Sequence, residues 1–335
     1  MLTDLFFLLA SLFVILASCE AFTNAIEWFG HRLDLAEGAV GSVLAAVGTA
    51  MPETLIPLVA ILFSGGREVG HEIGIGAIVG APFMLSTLAL FVNGVAIFLF
   101  RRTNHRSLKL TVNPKVLSRD LVFFLIVYGL AVLSSFLPPE LRWTRYLVAL
   151  GLLGFYVFYV RLTLADEGRV GDDLMPLHFA RRHPRPRMHI ITFQVLLGLF
   201  GIVGGAKLFV MYVEHLSFLL GVPPLTLSLI IAPIATELPE KFNSVLWVRR
   251  GKDTLAMGNI TGAMVFQSAI PTTVGLLLTS WALDSQALLS ATIAMASAAV
   301  ILLVMRLRGG LTARILLLGG LFYAAFIAAL AFRLV

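Results

Sequence analysis

The chain has 335 residues, 59% of them hydrophobic and 13% charged, with a mean hydropathy of +0.93. Soluble domains run at about 45–50% apolar and 25% charged, so an ordinary soluble, fibrous or disordered protein is excluded. The apolar residues suffice for roughly ten membrane spans of about 20 residues each. One cysteine excludes a disulfide framework or a thiolate metal cluster.

Taken in chain order, hydropathy and charge breaks predict ten helical spans: 4–27, 36–63, 73–100, 119–137, 143–163, 190–213, 221–247, 254–280, 286–305 and 312–332. The first span lacks a basic leader and carries Asp4 as its early charge. Its Leu16-Ala17-Ser18-Cys19 run has the look of a lipoprotein cleavage box, but is read as part of a transmembrane helix. Glu20, Asn24 and Glu27 follow along one side of it, as candidates for lining an access path. For Asn24 and Glu27 a polar helix flank is an equal reading. The long polar stretch 165–189 reads as a linker between two five-helix halves, 1–164 and 190–335. Its His178, His183 and His189 lack metal-ligand spacing and read as solvated. His71-Glu72 lacks the second histidine of a zinc-protease helix, and Lys207 and Glu214 read as structural.

Of the 25 lysines and arginines, 19 lie in or beside the loops after spans one, three, five, seven and nine. Four (Arg67, Arg142, Arg145 and Arg333) lie on the opposite side, and Lys207 and Lys241 lie inside spans. That asymmetry puts the odd-numbered loops in the cytoplasm and both termini outside. It also accounts for the net charge of +6 and the pI of 9.8 without a nucleic-acid partner.

Five helices is an odd number, so a repeated half must enter the membrane upside down relative to its twin, as in secondary transporters. Internal similarity is present. Gly48-Thr49-Ala50-Met51-Pro52-Glu53 pairs with Ala235-Thr236-Glu237-Leu238-Pro239-Glu240, both reading Thr-x-x-Pro-Glu. Gly76-Ala77-Ile78-Val79-Gly80-Ala81 pairs with Gly258-Asn259-Ile260-Thr261-Gly262-Ala263, both reading Gly-x-Ile-x-Gly-Ala. The pairs keep the same order at offsets of 187 and 182 residues, a difference absorbed in loops.

The motif carries ion chemistry. A carboxylate deep in a span is costly and marks a functional site. Glu53 and Glu240, brought together by the pseudo-two-fold axis, repel unless a cation or protons lie between them. Each preceding proline frees a backbone carbonyl, which in a membrane needs a partner. Thr49 and Thr236 lie one turn before the glutamates, on the same face. Hydroxyl, carbonyl and carboxylate oxygens suit Ca²⁺ and often Na⁺. The glycines of spans three and eight permit close approach of the motif helices.

These motifs and the five-plus-five layout resemble the cation/calcium antiporter superfamily, which includes the sodium/calcium exchangers. The resemblance covers nearly the whole chain and is most specific over 45–85 and 232–267. It implies a central calcium site at Thr49, Glu53, Thr236 and Glu240. The chain departs from that family where flanking sodium ligands are expected: Ala50 and Glu237 replace serines after the threonines, Ala81 and Ala263 replace serines after the glycines, and Leu85 replaces a polar residue. Its second-repeat counterpart, Gln267, resembles the calcium/proton branch, although that branch usually has asparagine in place of Thr49 and Thr236. Glu237 adds either an ion ligand or a partner for Lys241 one turn on. Lys241 itself could instead serve as a substitute internal cation.

The expectation is therefore an all-helical membrane antiporter that exchanges Ca²⁺ or a related cation for Na⁺ or H⁺ at a midplane site, by alternating access. Helices one and six would move against a fixed bundle. Glu53, Glu240, Thr49, Thr236, Glu237 and Gln267 are its candidate ion ligands. It would be no enzyme, hold no cofactor and sit in a bacterial or archaeal inner membrane. The alternatives are a sodium/proton or other monovalent transporter that has lost calcium, and an ion-binding membrane protein that does not transport.

Overall fold

The computed structural model describes residues 2–32, 51–63, 68–103, 107–166, 175–181, 183 and 186–332. At some helical positions, among them Ala235, Leu238 to Glu240, Phe242 and Asn243, it describes the backbone alone. The order of the longer helices is α1 (Leu2–Arg32), α2 (Met51–Phe63), α3 (Glu68–Met84), a π turn (Leu85–Ala89), α4 (Leu90–Thr103), α5 (Pro114–Leu133), α6 (Thr144–Asp166) and α7 (Met188–Leu220). Then come α8 (Pro224–Thr236), α9 (Leu238–Arg249), α10 (Asp253–Leu278), α11 (Ser285–Arg308), α12 (Ala313–Leu316) and α13 (Leu318–Ala331).

Local chemistry sets several boundaries. Asn113 caps α5 by accepting from Lys115 N at 3.0 Å, with Pro114 in the first turn. Asp284 caps α11 through Ala287 N at 2.8 Å. Gly221 and Gly309 end α7 and α11 in the left-handed conformation, with φ of 64° and 63°.

Among the described residues, eight helical segments are long and apolar enough to cross a bilayer. Two apolar helices are shorter, Met51–Phe63 and Pro224–Ile234. The predicted unbroken span 221–247 is corrected: the chain forms two helices there, interrupted at Glu237. The predicted span 254–280 is continuous, and Cys19 lies buried within α1.

Helix packing divides the chain into two units, each drawing helices from both halves of the sequence: residues 1–73 with 157–224, and 74–156 with 225–335. In the first, α1 and α7 pack along their length. Gly198, Gly201 and Gly205 form the seam, and a Cβ at these positions would strike Phe22, Ser18 and Ile15 respectively. Small residues let the backbones close up where lipid supplies no hydrophobic drive.

The end of the linker is part of this unit. The stretch from Met175 to Ala180 lies against α1 and α7 and buries Leu177 and Ala180 among Ala25, Trp28 and Ile191. Asn24 Oδ1 accepts from His178 N at 3.1 Å and from Gln194 Nε2 at 3.0 Å. Trp28 Nε1 donates to Met175 O at 2.8 Å, and Gln194 Oε1 accepts from Phe179 N at 3.0 Å. Asn24 is thus an anchor for this strap. His178, expected to be solvated, is partly buried 3.8 Å from Glu20. The reason is backbone demand: a chain crossing between two apolar helices must find side-chain partners for its own N–H and C=O groups. Glu20 keeps its carboxylate exposed.

In the second unit α3 crosses α8 at Gly76 and Gly80. A Cβ at Gly76 would strike the carbonyl of Leu225, and one at Gly80 that of Leu229. Pro233 has no N–H to offer Leu229 O four residues back, so the carbonyl that lost its helical donor is the one pressed against Gly80. On the loop side, Leu110 N donates to Leu311 O at 2.9 Å, and Asp253 Oδ2 accepts from Thr111 N at 2.8 Å.

Two outcomes test this packing. Gly80→Ala lowers stability by about 1–3 kcal/mol, the range for overpacking. Gly151→Ala, where a Cβ meets nothing within 4 Å, leaves it unchanged or higher. Thermal unfolding followed by size-exclusion chromatography compares them. Gln194→Leu orphans Phe179 N and loosens the strap, so limited trypsin cuts faster at Arg181 and Arg187 than in the unaltered chain.

Candidate ion-binding site

The second-repeat motif is built on a helix break. Pro233 and Pro239 each lack an N–H, so the carbonyls of Leu229 and Ala235 lose their ordinary donors. Between them Glu237 leaves helical geometry, with φ −92° and ψ 3°, although its N–H still reaches Pro233 O at 3.1 Å. Lys241 N donates to Glu237 O at 3.1 Å and starts the next helix. Interrupted helices at membrane depth persist only inside protein or along a cavity. Here α9 packs against α10 and α4.

Three predicted or weighed side chains meet at this break. Glu237 is 0% exposed, Gln267 2% and Lys241 7%. Lys241 Nζ lies 3.5 Å from Glu237 Oε2, and Gln267 Nε2 donates to Glu237 Oε1 at 3.2 Å. Of the two sequence readings of Glu237, the structure holds the pair with Lys241, one helical turn on. Gln267 is steadied from its own helix. Pro271 cannot donate to its carbonyl, and the Thr272 hydroxyl does so instead at 2.9 Å. Thr236 is buried next to this cluster in sequence.

Glu53 belongs to the first unit, on α2, and is 6% exposed. Pro57 follows it by four residues and removes the donor that would meet the Glu53 carbonyl. Thr49 lies outside the described residues, and so does the side chain of Glu240. Leu85 begins the π turn, a wide helical turn common at functional sites. Its hydroxyls bond back to the preceding turn: Ser86 Oγ donates to Phe83 O at 3.2 Å and Thr87 Oγ1 to the same carbonyl at 2.5 Å, while the Ser86 carbonyl accepts from Ser297 Oγ at 2.5 Å. Among the described residues no three His, Cys, Asp or Glu converge into a metal-holding group.

Sequence reasoning missed several buried polar residues, Asp120 and Asn93 among them. Asp120, at the start of a predicted span, is 1% exposed and accepts from Thr261 Oγ1 at 2.6 Å, with Arg119 Nε 3.5 Å away. A carboxylate just inside an apolar run was the available signal. Asn93 is 1% exposed on α4, and its side-chain amide meets no hydrogen-bond partner among the described residues. Lys207 stands 4.1 Å over the Phe63 ring, so its charge faces an aromatic surface. Glu214 lines an outer cavity of about 1010 Å³ in the first unit, beside the Asp4–His215 pair at 2.8 Å.

A family model described as "Sodium/calcium exchanger protein" matches residues 3–165 and 190–335. The chain belongs to the sodium/calcium exchanger family. That family is one of secondary transporters, not of catalytic enzymes, and this exchanger is an integral membrane protein. It is 26% identical over 323 residues to the putative antiporter CaxA of Alkalimonas amylolytica, covering 94% of this chain and 93% of that one. It is 24% identical over 282 residues to the inner membrane protein YrbG of Escherichia coli, covering 83% and 80%. Among solved structures it is similar in fold to an H⁺/Ca²⁺ exchanger CAX, with a TM-score of 0.71 and 19% identity over 98% of this chain and 82% of that one. It is likewise similar to the sodium–calcium exchanger NCX_Mj, with a TM-score of 0.56 and 17% identity over 98% of each chain.

Glu237→Ala removes the carboxylate beside the buried Lys241 ammonium. Breaking a buried ion pair from one side costs about 3–5 kcal/mol. Thermal unfolding of the purified exchanger reads that loss, and Glu237→Gln together with Lys241→Met recovers most of it.

Proposed function

We propose that this exchanger is a Ca²⁺ antiporter driven by Na⁺ or H⁺, working by alternating access at one central site. The observation that carries the reading is the duplicated Thr-x-x-Pro-Glu motif. It lies once in each of the two stretches matched by the exchanger family model. The names of CaxA and CAX as antiporter and H⁺/Ca²⁺ exchanger support the cation class.

In this reading ten spans form two inverted five-helix repeats, 1–164 and 190–335, joined by the linker 165–189. The shorter apolar helices α2 and α8 support two of the ten, each with a motif at one end. Glu53 and Glu240 supply the charge that replaces water around the ion, and Thr49 and Thr236 supply hydroxyl oxygens. Carbonyls freed by the prolines complete a flexible oxygen shell, which suits Ca²⁺ better than the rigid octahedron of Mg²⁺. Glu237 and Gln267 flank this site. The ion is cargo, so the shell must bind loosely enough to release it to either side. The long apolar seam between α1 and α7 supports their motion as a pair. The basic loops would face the cytoplasm, both termini the outside, and the membrane would be a bacterial or archaeal inner membrane.

The monovalent-cation alternative keeps one specific observation in its favour. At the second-repeat position Glu237 is paired with a lysine and not held open. One experiment separates the two: Ca²⁺ uptake into proteoliposomes under an imposed Na⁺ gradient and, separately, a proton gradient. Uptake under either gradient is expected. Glu53→Gln and Glu240→Gln are each expected to lower it at least about a hundredfold while the protein still elutes as a folded species. Wild-type uptake by either variant removes that residue from the site, and no Ca²⁺ flux with intact Na⁺ flux establishes the alternative.

A further inference from the structure

Lys241 is a cation that this chain carries in its own covalent structure, at a buried place within a helix. It stands eight residues before Arg249, about 12 Å along the helix axis. A lysine side chain cannot span that distance to reach the level of the terminal arginine by snorkelling. At the other end of α9, the Arg249 guanidinium lies 6.0 Å from the Phe100 ring centroid, which ties that terminus to α4. The ammonium therefore stays where the structure puts it, 7% exposed and 3.5 Å from Glu237 Oε2. From α10, Gln267 gives Nε2 to Glu237 Oε1 and keeps its amide oxygen buried without a hydrogen-bond partner among the described residues. A carboxylate and an amide oxygen beside a helix break are the donors a dehydrated monovalent cation takes up. Here a positive charge already sits beside the carboxylate.

We propose that the Lys241 ammonium is a tethered cation which permanently fills a monovalent-ion subsite at the Glu237 carboxylate, beside Gln267. This exchanger then couples through one fewer mobile ion than the same pocket would take without the lysine. The proposal deepens the function above and rests on it. A tethered charge stays on its helix through the cycle and is never released, so it neutralises Glu237 without contributing to ion exchange. Lys241 acts as a specificity-determining residue: it excludes Na⁺ from this pocket by occupying it and by like-charge repulsion.

The test uses the full-length protein in nanodiscs, as wild type, Lys241→Met and the double variant Glu237→Gln with Lys241→Met. Each is titrated with Na⁺ against choline at constant ionic strength, and the unfolding midpoint is read. Binding to the folded state alone raises that midpoint with ion concentration. Lys241→Met is expected to gain a Na⁺-dependent rise beyond any shown by wild type, and the double variant to lose that gain. A structural salt bridge alone predicts the same Na⁺ response in all three, and that result overturns the proposal. If Lys241→Met folds only when Na⁺ is present, the proposal stands. If it folds in neither salt while the double variant folds, Na⁺ cannot replace the ammonium and the proposal fails. This readout needs no transport, so absence of Ca²⁺ flux in wild type overturns the proposed function without deciding the subsite. In proteoliposomes the same Lys241→Met variant is expected to show a Ca²⁺ uptake that depends more steeply on Na⁺ than wild type.

Discussion

A backbone amide or carbonyl within lipid has no water to turn to, and that constraint organises this molecule. Proline breaks it deliberately. Pro57, Pro233, Pro239 and Pro271 each remove an N–H within or beside a helix, and each leaves a carbonyl to be satisfied by other means. The chain answers differently at each place. Gln267 O takes the Thr272 hydroxyl. Leu229 O is pressed against a glycine. At Glu237 the helix itself opens. Oxygens freed in a dry interior are also oxygens available to a dehydrated cation, so the cost of the break and the capacity to bind an ion have one origin.

The electrostatics follow the same logic. A buried carboxylate needs compensation within a few ångströms, and Asp120, Asp253, Glu237 and Glu53 are buried; Asp253 accepts from Thr111 N. Asp120 finds Arg119 and a threonine hydroxyl. Glu237 finds Lys241 and Gln267. Glu53 lies on α2 just ahead of a proline that leaves its own carbonyl open. The sets around Asp120 and Glu237 each tie neighbouring residues together. Glu53 ends the first-repeat motif on a short helix, and with Glu240 it is a carboxylate that the proposed mechanism assigns to the cargo.

Helix existence and membrane class were legible in the sequence because apolar run length is nearly all that a lipid span requires. The exchanger family was legible too, because Thr-x-x-Pro-Glu is short, repeated and chemically costly. The break at Glu237 was not. Residues 221–247 read as one apolar run, and hydropathy is blind to whether two prolines six residues apart bend a helix or interrupt it. Within the candidate site, the pairing of Glu237 with Lys241 followed from helical spacing alone, whereas its contact with Gln267 joins different helices and has no local signature. Asp120 escaped notice because Thr261, its partner, is 141 residues away. His178, within the strap at Met175 to Ala180, reads as solvated because a histidine beside a proline and flanking arginines looks like any surface linker. Only the side chains of Asn24, Trp28 and Gln194, on two other elements, show that the strap's backbone is held.

That strap limits how the first unit can deform. Asn24 and Trp28 on α1 and Gln194 on α7 grip the same few residues, and Asn24 and Gln194 grip each other. Sliding one helix past its neighbour by a turn displaces it about 5.4 Å, well beyond the reach of any hydrogen bond. The two helices are therefore yoked, a single rigid carriage with the strap as its crosspiece. A load applied to the strap from the aqueous side is shared by both helices at once, so a force on one point of the linker becomes a displacement of the whole pair.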